Sequence, residues 1–264
     1  MLKPVQASSY TFRTIIEGGY LYIDKTRFLY ELVHRPVGLY FLARPRRFGK
    51  SLMISTLEAI FQGDRQLFQN MWIAESDYEW QPHPVIRIDF SRSPVSSAAQ
   101  LRQVLDFFIE DIAQKNSLAL RGFDYQSRFD NLIQQLGTQR KVVILVDEYD
   151  KPILDNLEDV AEVNEIRDIL RGFYTIIKAN DQYLRFVMIT GISKFGRVGI
   201  FSGLNNLDDL TMDPRFASAL GITEAELRSN FSEHITDFAQ HEACTEAALL
   251  QKIRDWYNGF CFVA

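Results

Sequence analysis

Gly49-Lys50-Ser51 is the grouping in this 264-residue sequence best suited to holding phosphate. Glycine lets the backbone approach anionic oxygens, the N–H groups of a following helix attract them, and a lysine ammonium reaches the β- and γ-phosphates. The serine hydroxyl is placed to ligate Mg2+. The full phosphate-loop pattern is G-x-x-x-x-G-K-[ST], and residues 44–51 read R-P-R-R-F-G-K-S, so the last three required positions are present while Arg44 replaces the first glycine. Alone, the tripeptide reads equally well as a chance helix start.

A second, acidic element changes that balance. Asp147-Glu148 follow directly on the run Val142-Val143-Ile144-Leu145-Val146. Carboxylates at the C-terminal end of a buried strand sit where open α/β sheets gather their ligand chemistry. Asp147 would hold the magnesium shell opposite Ser51, and Glu148 would orient and deprotonate water. Asp150 and Lys151 read instead as a charged, solvated turn. In Thr190-Gly191-Ile192-Ser193-Lys194-Phe195-Gly196-Arg197, Thr190 or Ser193 is a candidate γ-phosphate sensor, with Lys194 or Arg197 a cationic stabiliser. An ordinary polar connector fits the same letters. Arg44, Arg46 and Arg47 admit three roles: a phosphate clamp in cis, a finger towards a neighbouring subunit, or an anion-attracting rim. His34, His83, His234 and His241 show no metal-ligand pairing.

Positioning these residues requires strands that end at them. The apolar run 38–43 precedes the lysine loop, and Leu52, Ser55, Leu57, Ile60 and Phe61 follow at roughly helical spacing, giving strand, loop, helix. Residues 84–90 read as a second buried strand and 101–116 as an amphipathic helix. The run at 142–146 suits a strand buried on both faces. Residues 160–179 read as a helix and 185–191 as a fourth strand. Alternating strands and helices predict an α/β fold with a mainly parallel sheet covered on both sides. From about Thr223 the pattern is helical. Phe12, Tyr20 and Tyr22 are expected to pack on the sheet edge rather than against a base.

The length suits one large domain with an appendage, and 47% hydrophobic with 24% charged residues is an ordinary globular composition. A net charge of −5 offers no global support for nucleic-acid binding. Cys244 and Cys261 form neither a disulfide framework nor a zinc spacing, so a reducing, cytoplasmic setting is expected. The opening lacks a signal-peptide pattern, and no apolar run approaches a membrane span.

Four ordered motifs, GGYLYIDKTRFLYELV (18–33), LARPRRFGKSLMISTLEAIF, VVILVDEYDKPI and ITGISKFGRVGIFSGLNNLDDLT, with the closing WYNGFCF, resemble the bacterial AAA-ATPase-like family over about Tyr10 to Phe262. Members of that family are often fused to a C-terminal PD-(D/E)xK nuclease-like domain. The resemblance implies a P-loop NTPase core of the additional-strand class, in which the carboxylate strand does not directly neighbour the phosphate-loop strand. It also implies that arginine at the first loop position is usual. Lys50, Ser51, Asp147 and Glu148 map onto its nucleotide site, with Thr190, Ser193 and Lys194 near it.

The expected nucleotide-binding set is therefore Arg44, Arg46, Arg47, Phe48, Gly49, Lys50, Ser51, Leu52 and Thr190. Ser51 and Asp147 serve Mg2+, and Glu148, Lys50, Ser193 and Lys194 serve catalysis on ATP. The expected organisation is an N-terminal segment (1–35) packed on the core, a P-loop core (36–212), and a helical lid-like subdomain (213–264) cut before a C-terminal domain. Its aromatic end, Trp256, Tyr257, Phe260 and Phe262, is expected to pack on the domain. Three functions stay open: ATP hydrolysis that drives or gates a conformational change, including one in nucleic-acid processing or defence; a nucleotide-binding switch with little turnover; and a platform serving a nuclease-like domain in cis. Oligomerisation, with an arginine from another subunit, also stays open.

Overall fold

The computed structural model describes residues 3–6, 11–193, 197–201, 204, 206–257 and 262. Its strands are β1 (Gly38–Ala43), β2 (Val85–Asp89), β3 (Val142–Asp147), β4 (Leu184–Gly191) and the two-residue β5 (Asp208–Asp209). They form one sheet in the order β2-β3-β4-β1-β5, and every pairing is parallel. β4 thus lies between β1, which leads into the lysine loop, and β3, which ends at Asp147. This is the P-loop NTPase fold of the additional-strand class.

The helices in chain order are α1 (Phe12–Glu17), α2 (Thr26–Val33), α3 (Lys50–Phe61), α4 (Ala98–Lys115), α5 (Tyr125–Gly137), α6 (Lys151–Leu154), α7 (Val160–Ala179), α8 (Arg197–Ile200), α9 (Glu224–Asn230), α10 (Ser232–His241) and α11 (Glu246–Tyr257). All six residues of β3 are buried. Successive strand side chains point to opposite faces, and here both faces are covered. Val142, Ile144 and Val146 join a cluster with Leu105, Phe129 and Phe173 from α4, α5 and α7. Val143 and Leu145 join the opposite cluster, with Phe12, Leu29, Ile54 and Leu57 from α1, α2 and α3. Burying one such side chain contributes about 1.5–3 kcal/mol, so the doubly covered sheet dominates the fold. Side-chain caps define several helix starts. Ser97 receives Gln100 N, Asp159 receives Ala161 N and Glu162 N, and Asp124 and Thr223 each form a capping box.

The last three helices have a small core of their own, built from Ile235, Ala239, Leu249 and Leu250. A polar tie joins them to the N-terminal segment: Lys25 Nζ donates to Glu226 Oε1 at 2.5 Å and to Ser218 O at 2.7 Å. The pair is only partly exposed, 12% and 24% for the two side chains. Breaking it strands a half-buried carboxylate. Lys25→Met is therefore expected to destabilise this junction by about 1–2 kcal/mol, less than a fully buried pair would cost. Limited proteolysis between 217 and 223 reads the effect, and an unchanged cleavage rate would show that the tie carries no load.

The terminal aromatics depart from expectation. Trp256 and Tyr257 are 83% and 78% exposed rather than packed on the domain. α11 already fills the small helical core with Leu249 and Leu250, one to two turns earlier, and three short helices leave little surface to cover its final turn. Phe260 lies outside the described residues. Phe262 does pack, with its ring centroid 5.4 Å from that of Phe48. Among the described residues, no helix is long and apolar enough to cross a membrane.

Candidate functional site

Parallel strands bring their C-terminal ends to one edge of the sheet, and that edge collects the polar residues. Arg44 N continues the ladder beyond β1 by donating to Gly191 O at 3.1 Å. The chain then turns through residues 45–49 into α3. Gly49 has φ +89, and a Cβ there would meet no atom within 4 Å. Its requirement is conformational: the left-handed backbone disfavours L side chains by about 1–2 kcal/mol even where space is open. Met53 N donates to Gly49 O at 2.9 Å, closing the first helical turn.

Lys50 is 5% exposed and folds back on its own loop, donating to Arg44 O and Pro45 O at 2.9 Å each. Burial pulls its ammonium below the usual lysine range; the negative charges of Asp147, Glu148 and Asp150 oppose this, and Arg46 adds to it. Ser51 and Leu52 are half-buried in the first turn of α3, and Arg46 and Arg47 are exposed on the loop.

The Arg44 side chain turns into the protein. It is 1% exposed and donates to Ala43 O (3.0 Å), Thr211 O (2.7 Å) and Phe216 O (3.2 Å). The Phe262 ring lies over the guanidinium, 4.1 Å from Cζ to the centroid. Arginine in place of the first loop glycine therefore ties the loop to the 211–216 connection. Phe48 makes a second tie, since its carbonyl receives Gly221 N at 3.1 Å.

At the end of β3, Asp147 is fully buried. Its Oδ1 accepts the Thr190 hydroxyl at 2.6 Å and Glu148 N at 3.1 Å. Its Oδ2 is also buried and has no hydrogen-bond partner among the described residues. A buried carboxylate oxygen accepts only, so it calls for a cation or a water. Glu148 adopts φ +53, a conformation that costs a non-glycine residue about 1–3 kcal/mol and is concentrated at working sites. Burial raises its carboxyl above the usual range, Asp147 raises it further, and Lys50 opposes both.

Two carboxylates join these that sequence reasoning passed over. Asp89 ends β2 in register with Asp147. Its oxygens are taken by Ser91 N (3.0 Å), Ser91 Oγ (2.6 Å) and Arg92 Nε (3.0 Å). Asp150, read above as part of a solvated turn, is 2% exposed and receives three donors from Ile192 and Ser193. A signal for Asp89 was present, because Val85-Ile86-Arg87-Ile88-Asp89 also closes an apolar strand with a carboxylate. Nothing in Asp147-Glu148-Tyr149-Asp150 signals which acid turns inward.

The site thus brings together Lys50, Asp147, Glu148, Thr190 and Ser193, and places Arg46 and Arg47 at its rim. Lys194 lies outside the described residues. Among the described residues, no group of three or more His, Cys, Asp or Glu stands ready to cage a metal by itself. A cation at Asp147 would need phosphate oxygens and waters to complete its shell, which is the habit of Mg2+. The buried free oxygen of Asp147 and the serine hydroxyl opening α3 fit that ion.

The family model described as AAA-ATPase-like, "Predicted AAA-ATPase", matches residues 7–201. A relative from Azotobacter chroococcum mcd 1, described as an uncharacterized protein in the vnfD 5' region, is 40% identical over 254 residues, which cover 95% of this chain and 47% of the relative. The chain therefore spans about half the length of that curated relative. Among solved structures, Drosophila ORC bound to GC-rich DNA and Cdc6 aligns at 14% identity with a TM-score of 0.33, over 75% of this chain and 28% of that one. That likeness is distant, and the fold assignment rests on the strand order instead. With the family model spanning the lysine loop, the β3 carboxylates and the end of β4, this chain belongs to the AAA-ATPase-like family of predicted AAA-ATPases.

Proposed function

We propose that this chain binds ATP with Mg2+ and hydrolyses it, and that turnover moves the helical unit over 213–264 relative to a P-loop core over 36–212 with its N-terminal segment, 1–35. The observation that carries the reading is the buried, unpartnered Oδ2 of Asp147 in the charge field shared with Lys50. Lys50 leaves the loop carbonyls to meet the β- and γ-phosphates, which match its charge better than neutral acceptors do. Ser51 and Asp147 hold Mg2+, which supplies charge neutralisation at the phosphate oxygens. Glu148 orients the attacking water and takes its proton. Thr190, near the end of β4, and Ser193, two residues beyond it, face the γ-phosphate. Calorimetric titration with ATP, GTP and ADP, together with phosphate release, tests the reading. Failure to bind any nucleotide in the presence of Mg2+ would overturn it.

The movement has a route in the contacts of the loop. Arg44 and Phe48 join the nucleotide loop to residues 211–221, and Phe262 covers both. A ligand that reshapes residues 44–51 thereby pulls on the connection to α9. The element moved further on is a C-terminal nuclease-like domain in cis, in keeping with the family resemblance. Phe262→Ala removes a desolvated cation–π contact worth about 2 kcal/mol. It is expected to lower the thermal midpoint and to speed nucleotide release severalfold. Stopped-flow displacement of a fluorescent nucleotide checks this, and an unchanged release rate would detach the C-terminal segment from the site.

A further inference from the structure

We propose that Asp150 is a positioning residue that sets the γ-phosphate-reading end of the site by holding the backbone of Ile192 and Ser193, an assignment that rests on the nucleotide reading above. Its Oδ2 accepts Ile192 N at 3.0 Å, Ser193 N at 2.9 Å and Ser193 Oγ at 3.1 Å. Tyr149, next to it, donates its backbone N–H to Thr190 O at 2.9 Å and its hydroxyl to Ser193 O at 3.0 Å. With the Thr190 hydroxyl on Asp147, three residues of the β3 end, Asp147, Tyr149 and Asp150, thus grip 190–193 through side chain and backbone alike.

The energetics make this grip directional. A carboxylate only 2% exposed is costly unless its charge is answered. Asp150 has no salt-bridge partner among the described residues and its Oδ1 is buried without a hydrogen bond, so the answer to its charge comes at Oδ2 from the loop's consecutive N–H groups. The loop must therefore follow the carboxylate. Gly191 permits the approach, since a Cβ there would lie 2.5 Å from the Tyr149 ring and 2.8 Å from Asp150 Oδ1. The three bonds differ in kind. Two backbone donors fix the loop, while the Ser193 hydroxyl makes the longest contact and turns about its own bond. In the presence of a triphosphate that hydroxyl moves to a γ-oxygen, and Asp150 keeps its two N–H donors. Asp150 acts through Ser193 and does not itself touch the nucleotide.

The test compares wild type, Asp150→Ala, Asp150→Asn and Ser193→Ala in the whole chain. The measurements are dissociation constants for ADP and a nonhydrolysable ATP analogue, and single-turnover phosphate release. Asp150→Ala is expected to keep ADP affinity within about threefold, because the lysine loop is untouched. It should lose about tenfold of the preference for triphosphate over diphosphate, and a similar factor in single-turnover rate. Asp150→Asn, whose amide oxygen accepts the same two N–H groups, should recover most of both, and Ser193→Ala should reproduce the loss of preference. Parallel loss of ADP and analogue affinity in Asp150→Ala would make its role purely structural and overturn the assignment, as would an unchanged preference. If Asp150→Ala does not fold, Ser193→Ala decides: a retained preference overturns the assignment and a lost one supports it. A wild type that prefers triphosphate but never releases phosphate removes the hydrolysis reading, while loss of that preference in the variants still supports Asp150. A wild type that binds no nucleotide removes both.

Discussion

Lys50→Ala is expected to weaken Mg-nucleotide binding by roughly a hundredfold, the upper range for hydrogen bonds made to charged groups, while leaving the thermal midpoint close to wild type. The asymmetry follows from where the ammonium sits. Its donors rest on two loop carbonyls, Arg44 O and Pro45 O, in surroundings that desolvate it. In the free protein burial makes the charge costly, and the negative charges of Asp147, Glu148 and Asp150 offset that cost only in part. Its removal therefore forfeits two hydrogen bonds but also relieves a buried cation. In the proposed complex the same charge meets phosphate oxygens, and no other inward-facing side chain of the loop is placed to replace it. Arg44 is occupied by the carbonyls of Thr211 and Phe216, and Arg46 and Arg47 are exposed. Isothermal titration with ADP and with a nonhydrolysable triphosphate measures the loss. Affinity within threefold of wild type would mean that the lysine loop is not the phosphate site.

Glu148→Gln is expected to bind Mg-nucleotide normally and to lose about a hundredfold or more in phosphate release, the range for removing a positioned general base. The amide keeps the size and the backbone of the carboxylate, so the strained φ of +53 and the contact from Glu148 N to Asp147 Oδ1 survive. What disappears is the basic oxygen. Hydrolysis at the wild-type rate would return Glu148 to a turn-shaping role and leave the chain as a nucleotide-binding switch.

How legible these residues are in the sequence varies with the physics behind each. Four of the five strands show as apolar runs bounded by polar turns, because a strand covered on both faces has little freedom in its side chains. β5 does not, since two aspartates carry no hydrophobic pattern and are recruited by pairing with Tyr40 and Phe41. α5 is not among the elements read from the sequence above, although Phe129, Leu132, Ile133 and Leu136 at helical spacing after the capping residue Asp124 carry both an apolar face and a start signal. α1 and α2 are short, and their identity as helices depends on packing, α1 against α3 and α2 against the turn at Trp72–Glu75.

The sequence by itself determined the local devices: a glycine where the loop must turn left-handed, a lysine and serine beginning a helix, and a carboxylate pair closing the most apolar strand. These follow from bonded geometry and from side-chain chemistry a few residues apart, which the letters carry directly. Only the tertiary structure decided which charged groups line the candidate site and which hold the fold. Arg44 and Asp150 show the reason. One occupies a position of the lysine loop and turns inward to bind the 211–216 carbonyls, and the other follows the acidic pair at the end of β3 and answers its charge with N–H groups more than forty positions away. Asp150 meets its partners because β3 and β4 are neighbours, and Arg44 meets its own because β1 pairs with β5 on its other side, so the roles of these two residues belong to the sheet order.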